Sequence, residues 1–425
     1  MIDPNSSRSI KQQELVDNGI KLGLKVYYEL ITGFGKTRLA IMLSQLCNLR
    51  HPDKEIFIVV PSTNLRDSWL GSKGHIAQNK LKNVNVFIVN TYVKTKHKCG
   101  MLICDELHHY ANEESTTFKT VLERTQFNWF VGLSATLEEN HKSFLHSKGI
   151  ISAGRITAKE AMDNLWISPY KILCVPIELN DVDRERYDKM HAEFNKHFAT
   201  FEFDFNLAMK CVTDMAERDR LATKLNWPKE RINAAVFNWN RNMRNRKHFL
   251  YHVESKIDAA IEVTQALGLP TILFGQSIAG ADRIADELGD VCVEYHSDMT
   301  KTQAKANLKK LRDGRTKVKC ISSAKGLEEG FDLPGLELGI TWSRTSKALR
   351  ANQVLGRICR YVEGKVAYMI ELYVPDTQDE RWLKTSLKGQ SNVLYLKSLD
   401  QAINLILHER SKKLLSLDVV QGEEH

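Results

Sequence analysis

With 425 residues, 43% of them hydrophobic and 26% charged, the chain has the composition of an ordinary globular protein long enough for two or three domains. A formal charge of +8 and a pI of about 8.9 fit a polyanionic partner without requiring one. The eight scattered cysteines form no C-x-x-C pair or zinc-finger spacing, which argues against cysteine metal sites and for buried free thiols. No apolar run reaches the length of a membrane span, and the polar stretch Met1 to Ser7 does not read as a signal peptide. These features predict a cytoplasmic setting, the chain's own cell or a host's.

Residues Ile10 to Leu22 place apolar side chains at helical spacing. Val26 to Ile31 then reads as a strand, followed by Thr32-Gly33-Phe34-Gly35-Lys36-Thr37 and a helix from Arg38 to Leu46. Strand, glycine turn and helix is the context a phosphate-binding loop needs. Gly33 and Gly35 can take positive φ and wrap backbone N–H groups around an anion, and the following helix aims its positive dipole end at the same spot. Lys36 supplies an ammonium for the β- and γ-phosphates of a nucleotide, and the Thr37 hydroxyl can ligate Mg²⁺. The pattern departs at its first position, where Leu30 stands in place of glycine.

Glu55 to Val60 is a β-branched run ending at Pro61-Ser62-Thr63, with Leu65, Trp69 and Leu70 marking a helix behind it. Val84 to Val89 is a further strand, closing on Asn90-Thr91-Tyr92. Met101 to Cys104 delivers Asp105-Glu106-Leu107-His108-His109, and Trp129 to Leu133 ends at Ser134-Ala135-Thr136. Polar residues gathered at strand ends predict a parallel α/β sheet with its ligands at the carboxyl edge. Asp105, at the tip of a buried strand, suits the Mg²⁺ of a nucleotide. Glu106 can orient and deprotonate the attacking water.

From Asp183 to Lys256 the chain becomes charged and helix-compatible, with Tyr187, Met190, Phe194 and Phe198 at helical intervals. Within it, Arg241, Arg244, Arg246 and Lys247 mix with Trp239 and asparagines, which suits phosphate contact and base stacking. The α/β rhythm then resumes: Thr271 to Phe274 ends at Gly275-Gln276-Ser277, Val291 to Tyr295 leads to His296, and Lys317 to Ile321 leads to Ser322-Ser323. Leu338 to Trp342 is another strand. This half carries no phosphate loop, but Gln353 to Arg360 reads Q-x-x-G-R-x-x-R on a helix. Arg357 and Arg360 share a face, and their planar guanidinium forks match the oxygens of a transferring phosphoryl group.

Taken together, Gly33 to Thr37, Asp105-Glu106-Leu107-His108 and Ser134-Ala135-Thr136 resemble motifs I, II and III of superfamily 2 helicases of the D-E-x-H type. Val59 to Trp69 and Asn90-Thr91-Tyr92 resemble motifs Ia and Ib. Ile272 to Ser277, Gly330-Phe331-Asp332-Leu333-Pro334 and Gln353 to Arg360 resemble motifs IV, V and VI. The resemblance spans roughly Lys11 to Tyr373. It implies two RecA-like parallel-sheet lobes in tandem, with a helical insertion between them or at the start of the second. The corresponding division is lobe 1 over 1–165, insertion and linker over 166–260, lobe 2 over 261–380 and a helical C-terminal segment over 381–425.

By resemblance, Thr32 to Arg38 hold ATP with Mg²⁺ on Thr37 and Asp105, Gln12 or Gln13 reads adenine, and Asp332 lies near the ribose. Lys36, Asp105, Glu106, Gln353, Arg357 and Arg360 carry the chemistry, while His108, Ser134 and Thr136 couple it to motion. Pro61, Ser62, Arg66, Thr91, Gln276 and Ser277, together with Ser322 or Ser323, would face the nucleic acid, joined by Arg241 and Arg244 of the insertion. The chain resembles the compact DNA-directed members that act in repair, restriction or phage recombination. This implies a monomeric ATP-dependent DNA helicase or translocase; an RNA helicase, or a DNA-stimulated ATPase that clamps or remodels without separating strands, is the alternative.

Overall fold

The computed structural model describes residues 7–109, 116–324, 335–345, 354–388, 390 and 392–422. Its central strands come from short β-branched and apolar runs that are buried along most of their length, as parallel sheets covered on both faces require. Six of them are β1 (Lys25–Leu30), β2 (Ile56–Val60), β3 (Val84–Ile88), β4 (His97–Cys104), β5 (Thr125–Ser134) and β6 (Ile151–Ile156). They form an all-parallel sheet in the order β3-β2-β4-β5-β1-β6. The order matters for chemistry. β5 lies between β1 and β4, so the segments that follow these three strands emerge side by side at one carboxyl edge.

A second all-parallel sheet contains β7 (Tyr170–Pro176), β8 (Thr271–Gly275), β9 (Cys292–His296), β10 (Cys320–Ala324), β11 (Leu338–Thr341), β12 (Ala367–Tyr373) and β13 (Val393–Tyr395). Its order is β13-β7-β12-β11-β8-β10-β9. Leu394, expected in a helix, lies instead in β13, where the edge of β7 offers backbone partners. Behind it, the helix Leu399–Gly422 packs Ala402 and Ile406, both fully buried, onto this lobe.

Between β7 and β8 stand the insertion helices Asp181–Phe198, Phe205–Thr213, Met215–Leu225 and Lys229–Tyr251, followed by Glu254–Leu267, which packs on the second sheet. Polar caps divide them: Asn180, Asp204 and Asp214 each accept a backbone N–H at a helix start, and Asn226 ends one helix in the left-handed region. Trp239, Phe194, Phe201 and Ile232 give this insertion a core separate from those of the sheets. Of the predicted stripe, Tyr187 and Phe194 are buried and Met190 and Phe198 half-buried, with Tyr187 at the root, where it meets Leu250, Val253 and Val374.

All eight cysteines are buried free thiols, and burial pushes Cys99 and Cys174 up to about 12. Beneath the insertion, Lys256 Nζ sits 2.7 Å from Asp379 Oδ2, with both side chains 1% exposed. Arg344 pairs with Glu371 beside them. Burial pulls the Lys256 ammonium below its ordinary range, and Asp379 opposes that shift. Removing one partner of such a pair leaves an uncompensated buried charge. Asp379→Ala is therefore expected to destabilise the second lobe by about 3–5 kcal/mol, read as a lowered urea midpoint. An unchanged midpoint would mean that the pair is dispensable.

Candidate active site

The turn after β1 has the geometry its glycines allow: Gly33 lies at φ 93° and Gly35 at φ 115°, both left-handed. Gly35 is also the N-cap of the helix Lys36–Arg50 and offers no side-chain cap, leaving that helix start to the loop. The first helix, Ser7–Lys21, braces the turn from one side. Arg8 donates to the carbonyls of Gly33 (2.6 Å) and Phe34 (2.9 Å), and Gln12 donates its amide to Phe34 O (2.9 Å). A Cβ on Gly35 would press on the Gln12 amide at 2.6 Å, so glycine is needed for space as well as for φ.

Gln12 is 2% exposed and its nitrogen is committed to the loop, so its place in this structure is that of a brace. Gln13 is exposed and bonds Asp17. Arg8 was not singled out from the sequence. Its signal is the four-residue offset from Gln12, which puts both on one helical face.

β4 is followed by Asp105, 4% exposed, whose Oδ1 accepts the Glu106 N–H at 3.0 Å. Glu106 itself is left-handed (φ 50°), an uncommon conformation for a side chain of this type. Its carboxylate grips the Lys36 ammonium with both oxygens, at 2.8 and 3.0 Å. His108 Nδ1 lies 3.5 Å from Glu106 and 2.8 Å from Ser134 Oγ at the tip of β5. Ser134 Oγ donates to the Thr136 carbonyl at 2.9 Å, so it accepts from His108, which places the proton on Nδ1. Lys36, Glu106, His108, Ser134 and Thr136 thus form one connected chain of polar contacts across three strand ends. Thr37 is half-buried, and Arg38 is exposed.

The second lobe closes on this loop through its arginine segment. A Cβ on Gly356 would overlap the Thr32 side chain, and Gly33 faces the Gly356 carbonyl. Arg357 is 7% exposed and Arg360 half-buried. Burial lowers the guanidiniums of Arg8 and Arg360 from their ordinary values, and the repulsion of Arg360 lowers Arg8 further. The two lobes therefore bring like charges together beside the loop, an arrangement suited to an anion. Asp332 and Gln353 lie outside the described residues.

The expected polynucleotide contacts divide. Pro61, Ser62 and Arg66 are partly exposed and Thr91 is exposed, although the Ser62 hydroxyl caps the helix Thr63–Trp69 and Arg66 pairs with Asp67. Gln276 (5% exposed), Ser277 (3%) and Ser323 (0%) are buried in the second lobe. Ser277 is the N-cap of the helix Ile278–Leu288, and Ser323 is enclosed in β10 between two neighbouring strands. In the insertion, Arg241, Arg244 and Lys247 are exposed, whereas Arg246 is buried, 2.6 Å from His191 and 3.9 Å above the Phe194 ring.

Two family descriptions match the sequence: "Type III restriction enzyme, res subunit" over residues 8–99, and "Helicase conserved C-terminal domain" over residues 255–362. No curated protein matches it. Among solved structures, the Pyrococcus furiosus Hef helicase domain aligns over 89% of this chain and 99% of its own, with a TM-score of 0.50 at 15% identity. Saccharomyces cerevisiae Dbp5 bound to RNA and ADP BeF3 aligns over 93% and 92%, with a TM-score of 0.58 at 12% identity. A point variant of Dbp5 in the same complex aligns over 96% and 97%, at 0.59 and 13%. At these identities the likeness is one of fold: two RecA-like lobes. The two family matches indicate a superfamily 2 helicase, and the chain is an ATP-hydrolysing enzyme.

Because Gly356 meets Thr32 with no room for a side-chain atom, Gly356→Ala is expected to hold the arginine segment off the loop. A displacement of about 1 Å there should cost about a hundredfold in ATP turnover. Steady-state phosphate release measures it, and wild-type turnover would show that the contact does not set the arginines.

Proposed function

We propose that the protein couples ATP hydrolysis to movement along, or unwinding of, DNA, in recombination, repair or replication. The reading rests on one observation above others: a lysine–glutamate pair at the strand tips of one lobe, faced by an arginine segment of the other. The match to a restriction-enzyme subunit supports DNA. RNA is the second reading, favoured by the likeness to Dbp5, which was solved with RNA.

In this reading the nucleotide lies in the glycine turn of Thr32 to Arg38, with Asp332 toward its ribose, and 1–165 and 261–380 serve as the two halves of the site. The phosphates draw Lys36 away from Glu106 and leave that carboxylate to orient and deprotonate water. Arg357 and Arg360, with Gln353, take up the charge on the transferring group. The donor set fits a hard divalent cation: the buried Asp105 carboxylate and the Thr37 hydroxyl would hold Mg²⁺, which when bound neutralises phosphate charge. His108, Ser134 and Thr136 carry the state of Glu106 toward the strand ends. The polynucleotide crosses the partly exposed Pro61, Ser62 and Arg66 and the exposed Thr91, and Arg241, Arg244 and Lys247 add phosphate contacts. Among the described residues no helix is long and apolar enough to cross a membrane. A cytoplasmic monomer is part of the proposal.

Glu106→Gln should keep ATP binding and lower turnover by about 10²–10⁴; normal turnover would remove the general base. Steady-state ATPase with single-stranded, duplex and forked DNA and single-stranded RNA, with Lys36→Ala as the blank, tests the substrate. Stimulation by DNA above RNA is expected, and stimulation by RNA alone would transfer the assignment. Replacing Arg241, Arg244 and Lys247 by Ala together should lower the slope of log affinity against log salt by about two. An unchanged slope would make that face merely solvated.

A further inference from the structure

Three consecutive residues of the segment joining the lobes touch both halves of the site. Trp166 packs edge-on against Phe34 of the phosphate loop, with ring centroids 5.3 Å apart, and its indole N–H donates to Ser7 Oγ at 3.0 Å. Ile167, fully buried, lies against Gly33. Ser168, also fully buried, turns to the other lobe. Its N–H donates to the Cys359 carbonyl (2.9 Å), its hydroxyl donates to the Arg360 carbonyl (2.9 Å), and the same hydroxyl accepts the Val362 N–H (3.1 Å).

Those groups belong to the turn that ends the arginine helix, where carbonyls lack helical partners and need others. Chain connectivity, in addition to the Gly356–Thr32 contact, therefore links the loop to the arginines: a shift of Phe34 moves Trp166, and Ser168 is two residues further on. We propose that Ser168 is a positioning residue for Arg360, and that Trp166, Ile167 and Ser168 form a strap fixing the register of the arginine segment to the phosphate loop.

The inference rests on Arg360 acting on the nucleotide phosphates, so the experiment separates the two. Steady-state kcat and KM for ATP would be compared for the full chain, Ser168→Ala, Arg360→Ala and the double variant, with Ser168→Thr as the conservative control. Ser168→Ala should lower kcat about tenfold, the effect of leaving buried backbone groups unpaired, with KM within about twofold and recovery in Ser168→Thr. On the Arg360→Ala background it should add no further loss, because the serine acts only through that arginine. A kcat unchanged by Ser168→Ala overturns the inference, as does an equal loss on both backgrounds, the mark of a general structural defect. An Arg360→Ala variant as active as the parent overturns the reading of the arginine itself.

Discussion

The meeting of the two lobes depends on how closely the backbone of Gly356 approaches the Thr32 side chain. Gly356 lies against Thr32 with no space for a Cβ, and that approach lets the arginines of the second lobe reach a loop built by the first. Everything around it serves the same geometry. Arg8 and Gln12 hold the loop carbonyls from the side of the first helix, and Trp166 and Ile167 pack against Phe34 and Gly33 from the linker. One continuous cluster of buried side chains includes these linker residues together with Val354, Leu355 and Ile358 of the arginine segment. The lobes meet through a packed apolar seam with a polar edge, which gives closing and opening a defined endpoint.

The charges follow a similar logic. Lys36 and Glu106 neutralise one another, so each is held in place by the group it would leave when phosphates arrive. In the second lobe, Lys256, Asp379, Arg344 and Glu371 are buried in two adjacent pairs. They join the helix after the insertion (Glu254–Leu267), β12, the segment after β11 and the helix Gln378–Ser386, elements that surround the arginine segment in sequence. Buried pairs add little net stability compared with apolar packing, but they penalise any arrangement that separates them.

Much of the fold was legible because its strands are short apolar runs with functional residues at their ends. Asp105-Glu106 after β4 and Ser134 at the end of β5 fall on one edge by their strand order, and the structure brings His108 and Ser134 into contact there. Strands of other composition were missed. β6, Ile151–Ile156, is made largely of small and polar residues at a sheet edge, and β12 carries Glu371, whose charge is hidden only because Arg344 reaches it. Burial of individual polar residues was illegible for a related reason. Ser277 and Arg246 have the chemistry of ligand contacts, but helix capping and a ring stacked beneath a guanidinium use that chemistry internally, while Ser323 is enclosed in a sheet. Sequence patterns locate such residues on an element; they do not say which side of it is occupied.

The insertion has one more consequence, and it is thermodynamic. Its core around Trp239 shares no buried side chain with the cores of either sheet and meets the second lobe at a root formed by Tyr187, Leu250, Val253 and Val374. A body cored in this way loses its order at its own free energy of opening, not at that of the whole molecule. Urea unfolding is accordingly expected to resolve the insertion's transition from that of the second lobe, whose midpoint is the one the Lys256–Asp379 pair sets. Amide exchange would rank the helices of the insertion apart from the strands that hold the nucleotide loop.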